Sequence, residues 1–126
     1  VQPRKGVEIP GLKNLDASYV PEIYDGSLID EMVHVGLEEA EEATRTLIIQ
    51  EGIFCGFSSG AAMHVALTIC KDLKGGIVVV LLPDGGEKYI SSQIFTPQKF
   101  WECKKECNPN ALWDEEYVQK ISQWWD

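Results

Sequence analysis

Residues 51–62, Glu-Gly-Ile-Phe-Cys-Gly-Phe-Ser-Ser-Gly-Ala-Ala, constrain the fold of this chain more tightly than any other stretch. A short apolar strand, Ile53–Phe57, is predicted to run into a Ser58-Ser59-Gly60 corner, and a helix rich in small residues starts near Ser59. Such a corner lifts a hydroxyl and several free backbone N–H groups to the carboxyl edge of a parallel sheet. Open α/β sheets bind their ligands at that edge. Ser58 and Ser59 are therefore the first candidates for a functional site.

The flanking segments extend the pattern. Pro3, Gly6, Pro10, Gly11 and Pro21 forbid a long regular element before Tyr24, and Ile9-Pro10-Gly11-Leu12 reads as an ordered loop with apolar anchors. Residues from about Leu28 to Val35 mix apolar and acidic positions, as a short strand does. Leu37 to Glu51 is predicted as a helix: Ala40, Ala43, Leu47 and Ile48 form one apolar stripe, glutamates load its first turn, and Gly52 can end it. After the corner, Ala62, Val65, Ala66, Ile69 and Leu73 repeat at helical spacing until Gly75-Gly76. Ile77 to Leu82 is apolar without alternation, the signature of a central parallel strand covered on both faces. Pro83-Asp84-Gly85-Gly86 turns the chain, and a helix through Tyr89 and Ile94 is expected next.

Strand, helix, strand, helix in this order predicts an α/β fold: a three-layer, partly parallel sheet with flanking helices. The chain has 126 residues, enough for one domain with a core. Residues 1–100 are expected to form that unit and residues 101–126 a Trp-rich helical tail. Asp114 to Trp125 is amphipathic, with Trp113, Tyr117 and Ile121 on one side, and is expected to dock on its own domain rather than on a partner.

Twenty acidic against eleven basic side chains give a net charge of −9, which repels phosphate backbones and argues against nucleic acid as a partner. No apolar run approaches the roughly 20 residues of a membrane span, and no signal peptide is visible. Val1 in place of an initiator Met points to a processed or truncated chain. Cys55 on the strand and Cys70 on the apolar helix face read as buried free thiols. Cys103 and Cys107, spaced i and i+4, offer half a metal site that no second pair or nearby His completes, so no metal is expected. This cysteine usage suits a reducing cytoplasm.

Three chemistries suit the corner. Gly56-Phe57-Ser58-Ser59-Gly60 matches the nucleophile elbow of α/β-hydrolases. His34 precedes the serine, however, and His64 lies in the same helix, so no base stands ready to activate the hydroxyl. Alternatively, the helix start binds an anion or a polar ring atom with its N–H groups and one hydroxyl, or a serine there merely caps the helix.

The third reading rests on likeness. Ile9-Pro10-Gly11-Leu12, Val20-Pro21-Glu22-Ile23-Tyr24-Asp25, Leu28-Ile29-Asp30-Glu31, Glu38-Glu39-Ala40, Glu51-Gly52-Ile53-Phe54, Gly56 to Ala62, and Ile77 to Tyr89 follow one another in register. This series resembles the C-terminal part of cysteine synthase (O-acetylserine sulfhydrylase) and the related cystathionine β-synthases, over residues 1 to about 95. The tail from Thr96 resembles nothing recognisable.

The resemblance implies part of the large domain of a fold-type-II pyridoxal 5′-phosphate enzyme, which replaces the β-substituent of a serine derivative. It implies that Ser58 hydrogen-bonds the pyridine nitrogen, that Pro83 and Asp84 border the same ring, and that Gly11 lines the substrate entrance. A neutral hydroxyl does not force that nitrogen to carry a proton, so the ring is expected to be a modest electron sink. Lys13 departs from the family's usual Gly, and Lys88 stands where Arg is usual. The family's anchoring lysine, its Thr-Ser-Gly-Asn substrate loop and its phosphate cradle have no counterpart here, so no catalytic residue is assigned. The chain is expected to be a piece of a larger enzyme, inactive alone. Its partners would be a small amino-acid substrate, the remainder of the enzyme and, when intact, a second copy in a cytoplasmic homodimer. A cystathionine β-synthase, or a non-catalytic interaction module on the same scaffold, is the alternative.

Overall fold

The computed structural model describes residues 1–96; the Trp-rich tail from residue 101, with Cys103, Cys107 and the helix predicted over Asp114 to Trp125, lies outside the described residues. Two helices form the body. Helix α1 spans Leu37–Glu51, as its periodicity predicts, and buries Ala40, Ala43, Thr44 and Leu47. Glu38 and Glu39 occupy its first turn, where the partial positive charge of a helix start favours carboxylates. Gly52 ends it in the left-handed region at φ 68°, and the Gly52 N–H donates to the Ile48 carbonyl at 3.1 Å.

Helix α2 spans Phe57–Cys70 and starts two residues earlier than the sequence suggests. Gly56 is its N-cap, so Ser58 and Ser59 lie inside the first turn. Small residues let the two helices cross closely. A Cβ on Gly60 would stand 2.7 Å from the Thr44 backbone nitrogen and nearer still to the Ala40 carbonyl. Thr44 Oγ1 donates to that carbonyl at 2.7 Å, with the Gly56 carbonyl 3.5 Å away. Ile9, Val35, Ala40, Phe57, Ala61, Val65 and Ile94 close the core around the crossing.

The α/β class holds in reduced form. Among the described residues the sheet is one parallel pair, β1 (Gln2–Pro3) and β2 (His34–Val35), with Gln2 opposite His34 and Pro3 opposite Val35. The strand predicted from Leu28 to Val35 thus keeps only its last two residues. Before it, Gly26–Leu28 forms a 3-10 turn capped by the Asp25 side chain. The predicted strand Ile53–Phe57 contributes a single antiparallel bridge, Cys55 with Gly85.

Ile77 to Leu82 departs furthest from expectation. It has no ladder partner among the described residues, and Ile77, Val79 and Leu81 are 92%, 88% and 79% exposed. An apolar run shows what a strand requires, not whether the same chain supplies its neighbours. The helix expected through Tyr89 and Ile94 is instead two 3-10 turns, Gly86–Tyr89 and Gln93–Phe95. Ile69, Cys70 and Leu73 are exposed rather than packed, because α2 stops at Cys70 and no described element covers its last turn.

Candidate functional site

The site begins with a short backbone clasp. Beside the Cys55–Gly85 bridge, the Gly56 N–H donates to the Asp84 carbonyl at 3.1 Å and the Gly86 N–H to the Phe54 carbonyl at 3.2 Å. This clasp fastens the turn after Leu82 to the start of α2 and sets the Asp84 carboxylate against the first helical turn, where a negative charge is favoured. Ser58 Oγ donates to Asp84 Oδ1 at 3.4 Å, a long contact for a hydroxyl. The Tyr89 hydroxyl donates to Asp84 Oδ2 at 2.6 Å, and the exposed Lys88 Nζ stands 3.8 Å from the same oxygen.

Gly11 closes the cluster from the opposite side. Its φ of 78° suits glycine, and the Leu12 N–H donates to the Ile9 carbonyl at 3.0 Å across the turn. A Cβ at Gly11 would lie 2.7 Å from the Tyr89 hydroxyl, 3.5 Å from Ser58 Oγ and 3.8 Å from Asp84 Oδ2. Three of the four residues singled out from the sequence, Gly11, Ser58 and Asp84, therefore converge. Pro83, the fourth, precedes Asp84 directly but is exposed at the edge. Ser58 itself is only 3% exposed.

Two members of the cluster escape sequence reasoning. Tyr89 packs its ring edge-on against Phe57, with centroids 5.2 Å apart, while its hydroxyl grips Asp84. Reading residues 86–94 as an α-helix hid this, because the tight Gly85-Gly86 turn and the 3-10 turn bring residue 89 back onto the carboxylate. Gly56 is the other: a Cβ there would lie 2.5 Å from both Asp84 Oδ1 and Tyr89 Cε2. The predicted strand Ile53–Phe57 hides it, because Gly56 becomes an N-cap only when the helix starts at Phe57.

The electrostatics follow from this packing. The hydrogen bond to Asp84 pushes the Tyr89 phenol up to about 12, with burial and the carboxylate charge adding to the shift. Burial raises the Cys55 thiol, and the Asp84 charge pushes the same way, against a Ser59 contact that lowers it. Ser59 Oγ, on the turn beside it, is buried without a hydrogen-bond partner among the described residues. A cleft of about 670 Å³ opens beside the cluster between the 6–18 loop and the helix starts, with Phe57 in its wall. Lys13, on its lining, places Nζ 3.8 Å from the centre of the Tyr19 ring.

One hydroxyl, one carboxylate and one phenol beside an aromatic wall suit the recognition of a single polar atom on a flat ring. They do not make a hydrolytic centre. His34 is exposed and 3.9 Å from Asp16, and Ser58 hydrogen-bonds Asp84 rather than a histidine.

The fold and site define a class. The family of pyridoxal-phosphate dependent enzymes matches residues 4–84, and the chain belongs to it. Within that class the likeness narrows to cysteine synthases. The chain is 40% identical over 100 residues to cysteine synthase B of Salmonella typhimurium, covering 79% of this chain and 33% of that protein. It is 38% identical over 98 residues to the cysteine synthase of Aquifex aeolicus, covering 75% and 29%. Among solved structures, O-ureido-L-serine synthase superposes with a TM-score of 0.67 at 28% identity, over 91% of this chain and 32% of that one. The cysteine synthase (OASS) of Entamoeba histolytica shares the fold, with a TM-score of 0.64 at 24% identity over 93% and 31%. The chain spans about a third of the length of the relatives it matches.

Proposed function

We propose that this chain supplies the ring-nitrogen side of the pyridoxal 5′-phosphate site of a cysteine synthase, which replaces the acetoxy group of O-acetylserine by sulfide to give cysteine. The convergence of Gly11, Ser58 and Asp84, residues distant in sequence, is the observation that carries this reading. A buried hydroxyl beside a carboxylate, walled by the Phe57 and Tyr89 rings, has the donor set that a flat heteroaromatic ring requires. The coenzyme, when bound, supplies the electron sink that lets an amino-acid α-proton and β-substituent depart.

The chain's own residues bind and orient. Ser58 Oγ meets the ring nitrogen, and Asp84 and Pro83 border the ring. Ser58 is only 3% exposed, so the Gly11 turn, closed by the Leu12 N–H on the Ile9 carbonyl, lifts to admit the ring. The same turn then covers the substrate entrance, and the neighbouring cleft receives the amino acid. Lys88 is paired with Asp84, and no Gly/Thr-rich phosphate loop occurs in the sequence. The covalent anchor and phosphate cradle therefore come from beyond the residues described. Among those residues no helix is long and apolar enough to cross a membrane. We take the working protein to be a cytoplasmic homodimer.

The test is turnover of O-acetylserine and sulfide by this chain together with the lysine-bearing portion of the enzyme. Ser58→Ala should lower both coenzyme retention and turnover at least tenfold, which is about 1.4 kcal/mol. Unchanged retention and turnover would overturn the proposal. Homocysteine offered in place of sulfide should be used poorly; preference for it would move the assignment to cystathionine β-synthase. The chain alone should lose added coenzyme on dialysis, and stable retention would show that it holds its own anchor.

A further inference from the structure

We propose that residues 113–125 of the tail seat, as an amphipathic helix, in the groove between α1 and α2. The groove lies toward the far end of α2 from Ser58, so this contact does not depend on the coenzyme reading. The family match ends at residue 84, and the tail lies beyond it.

The groove holds about 550 Å³. Ala43 and Thr46 of α1 line it with Leu67 of α2, and Glu42 and Lys71 bring opposite charges from the two helices. Leu67 is 52% exposed, although its neighbours Val65 and Ala66 are buried. An open apolar floor between two helices is the shape that an amphipathic helix fits. Among the described residues neither Glu42 nor Lys71 has an ion-pair partner. Both charges are therefore available to an incoming segment.

The tail carries the complementary pattern. Trp113, Tyr117, Ile121 and Trp124 are spaced by four, four and three residues, which places them on one helical face. Asp114, Glu115 and Glu116 open the same segment, where a helix start favours acids, and Lys120 follows one turn later. The three acids complement Lys71, and Lys120 complements Glu42. Three aromatic side chains left in water on one face would form an exposed apolar patch of the kind that folded domains avoid. Attachment and length agree with this occupant. The chain leaves the described fold beside α1, because Ile94, 2% exposed, shares one core with Ala40. From Thr96 to Trp113 it advances 17 residues, up to about 60 Å of extended chain. The whole of α1 is only roughly 22 Å long. The groove is within reach.

Fluorescence and cross-linking on the full chain test this. All four tryptophans, Trp101, Trp113, Trp124 and Trp125, lie in the tail, so their emission reports on it alone. Native emission should be blue-shifted from that in urea. A carbodiimide should join Lys71 to one of residues 114–116, or Glu42 to Lys120, and mixing isotope-labelled with unlabelled chain should leave these links within single chains. Leu67→Glu puts an unpaired carboxylate beneath the docked helix and should favour the undocked state at least about tenfold. Emission then moves toward the urea value and the links vanish, while continued protection of Cys55 from a thiol reagent shows that the fold survives. Ile121→Glu should do the same from the tail side of the contact, and it carries the decision should Leu67→Glu expose Cys55. Val79→Lys, on an exposed apolar residue outside the groove, should leave both signals unchanged. Urea-like emission in the wild type overturns the proposal, as does blue emission that survives both substitutions. Links found only between chains overturn it too, and would make a second copy the occupant.

Discussion

Replacing Gly60 by alanine tests the helix crossing that carries Ser58. In an isolated helix this change is favourable by about 0.8–1.0 kcal/mol, because alanine gives up less backbone freedom than glycine. Here the new methyl would stand 2.7 Å from the Thr44 backbone nitrogen, where ordinary contacts begin near 3.4 Å, and closer still to the Ala40 carbonyl. Both obstacles are backbone of α1, so no side-chain rotation relieves them, and the helices must part by at least the missing 0.7 Å. Overpacking of this kind costs roughly 1–3 kcal/mol, and immovable backbone places it toward the upper end. The net expectation is a loss of about 2 kcal/mol, or roughly 8–16 °C in thermal midpoint for a domain of this size. Circular dichroism melts of the wild type and G60A measure it. Gly52→Ala is the control: its φ of 68° strains alanine, but nothing lies within 4 Å, so about 1 kcal/mol is expected from backbone strain alone. A G60A chain as stable as the wild type, or more so, would refute the close crossing.

Other outcomes follow from the same packing. Leu47→Ala, at a site 4% exposed, should cost about 2–5 kcal/mol by urea denaturation. Val79→Lys, at 88% exposure, should change stability by less than about 0.5 kcal/mol; a loss of several would mean that the segment is covered in solution. Because folding holds Tyr89 protonated up to about 12 against an ordinary 10, its contribution is complete below pH 10 and disappears as pH rises to 12. Thermal midpoints should fall across that window in the wild type and less in Tyr89→Phe. With Cys103 and Cys107 replaced by serine, a thiol reagent should modify exposed Cys70 first and reach Cys55, 2% exposed and raised in pKa, only on unfolding.

Helix α1 was fully legible because its signals agree: one apolar stripe, acidic residues in the first turn and a glycine stop. Gly11, Ser58 and Asp84 were legible through family resemblance, and their convergence depends on the Cys55–Gly85 clasp, which no periodicity announces. Tyr89 was missed because a 3-10 turn and an α-helix share apolar spacing over four residues but aim the fourth differently. Ile77 to Leu82 resembles a covered strand in sequence because six apolar residues in a row look alike whether or not neighbours lie within the same chain. The reversal at Cys70 has the same origin, since helical spacing marks a face but not what meets it.

The most direct measurement is a crystal structure of the protein in complex with pyridoxal 5′-phosphate. The ring nitrogen should lie about 2.7–3.2 Å from Ser58 Oγ, with the Gly11 turn displaced from Tyr89 and Asp84 still bound to both hydroxyls. A coenzyme seated elsewhere, with Ser58 still enclosed beneath Gly11, would contradict the account.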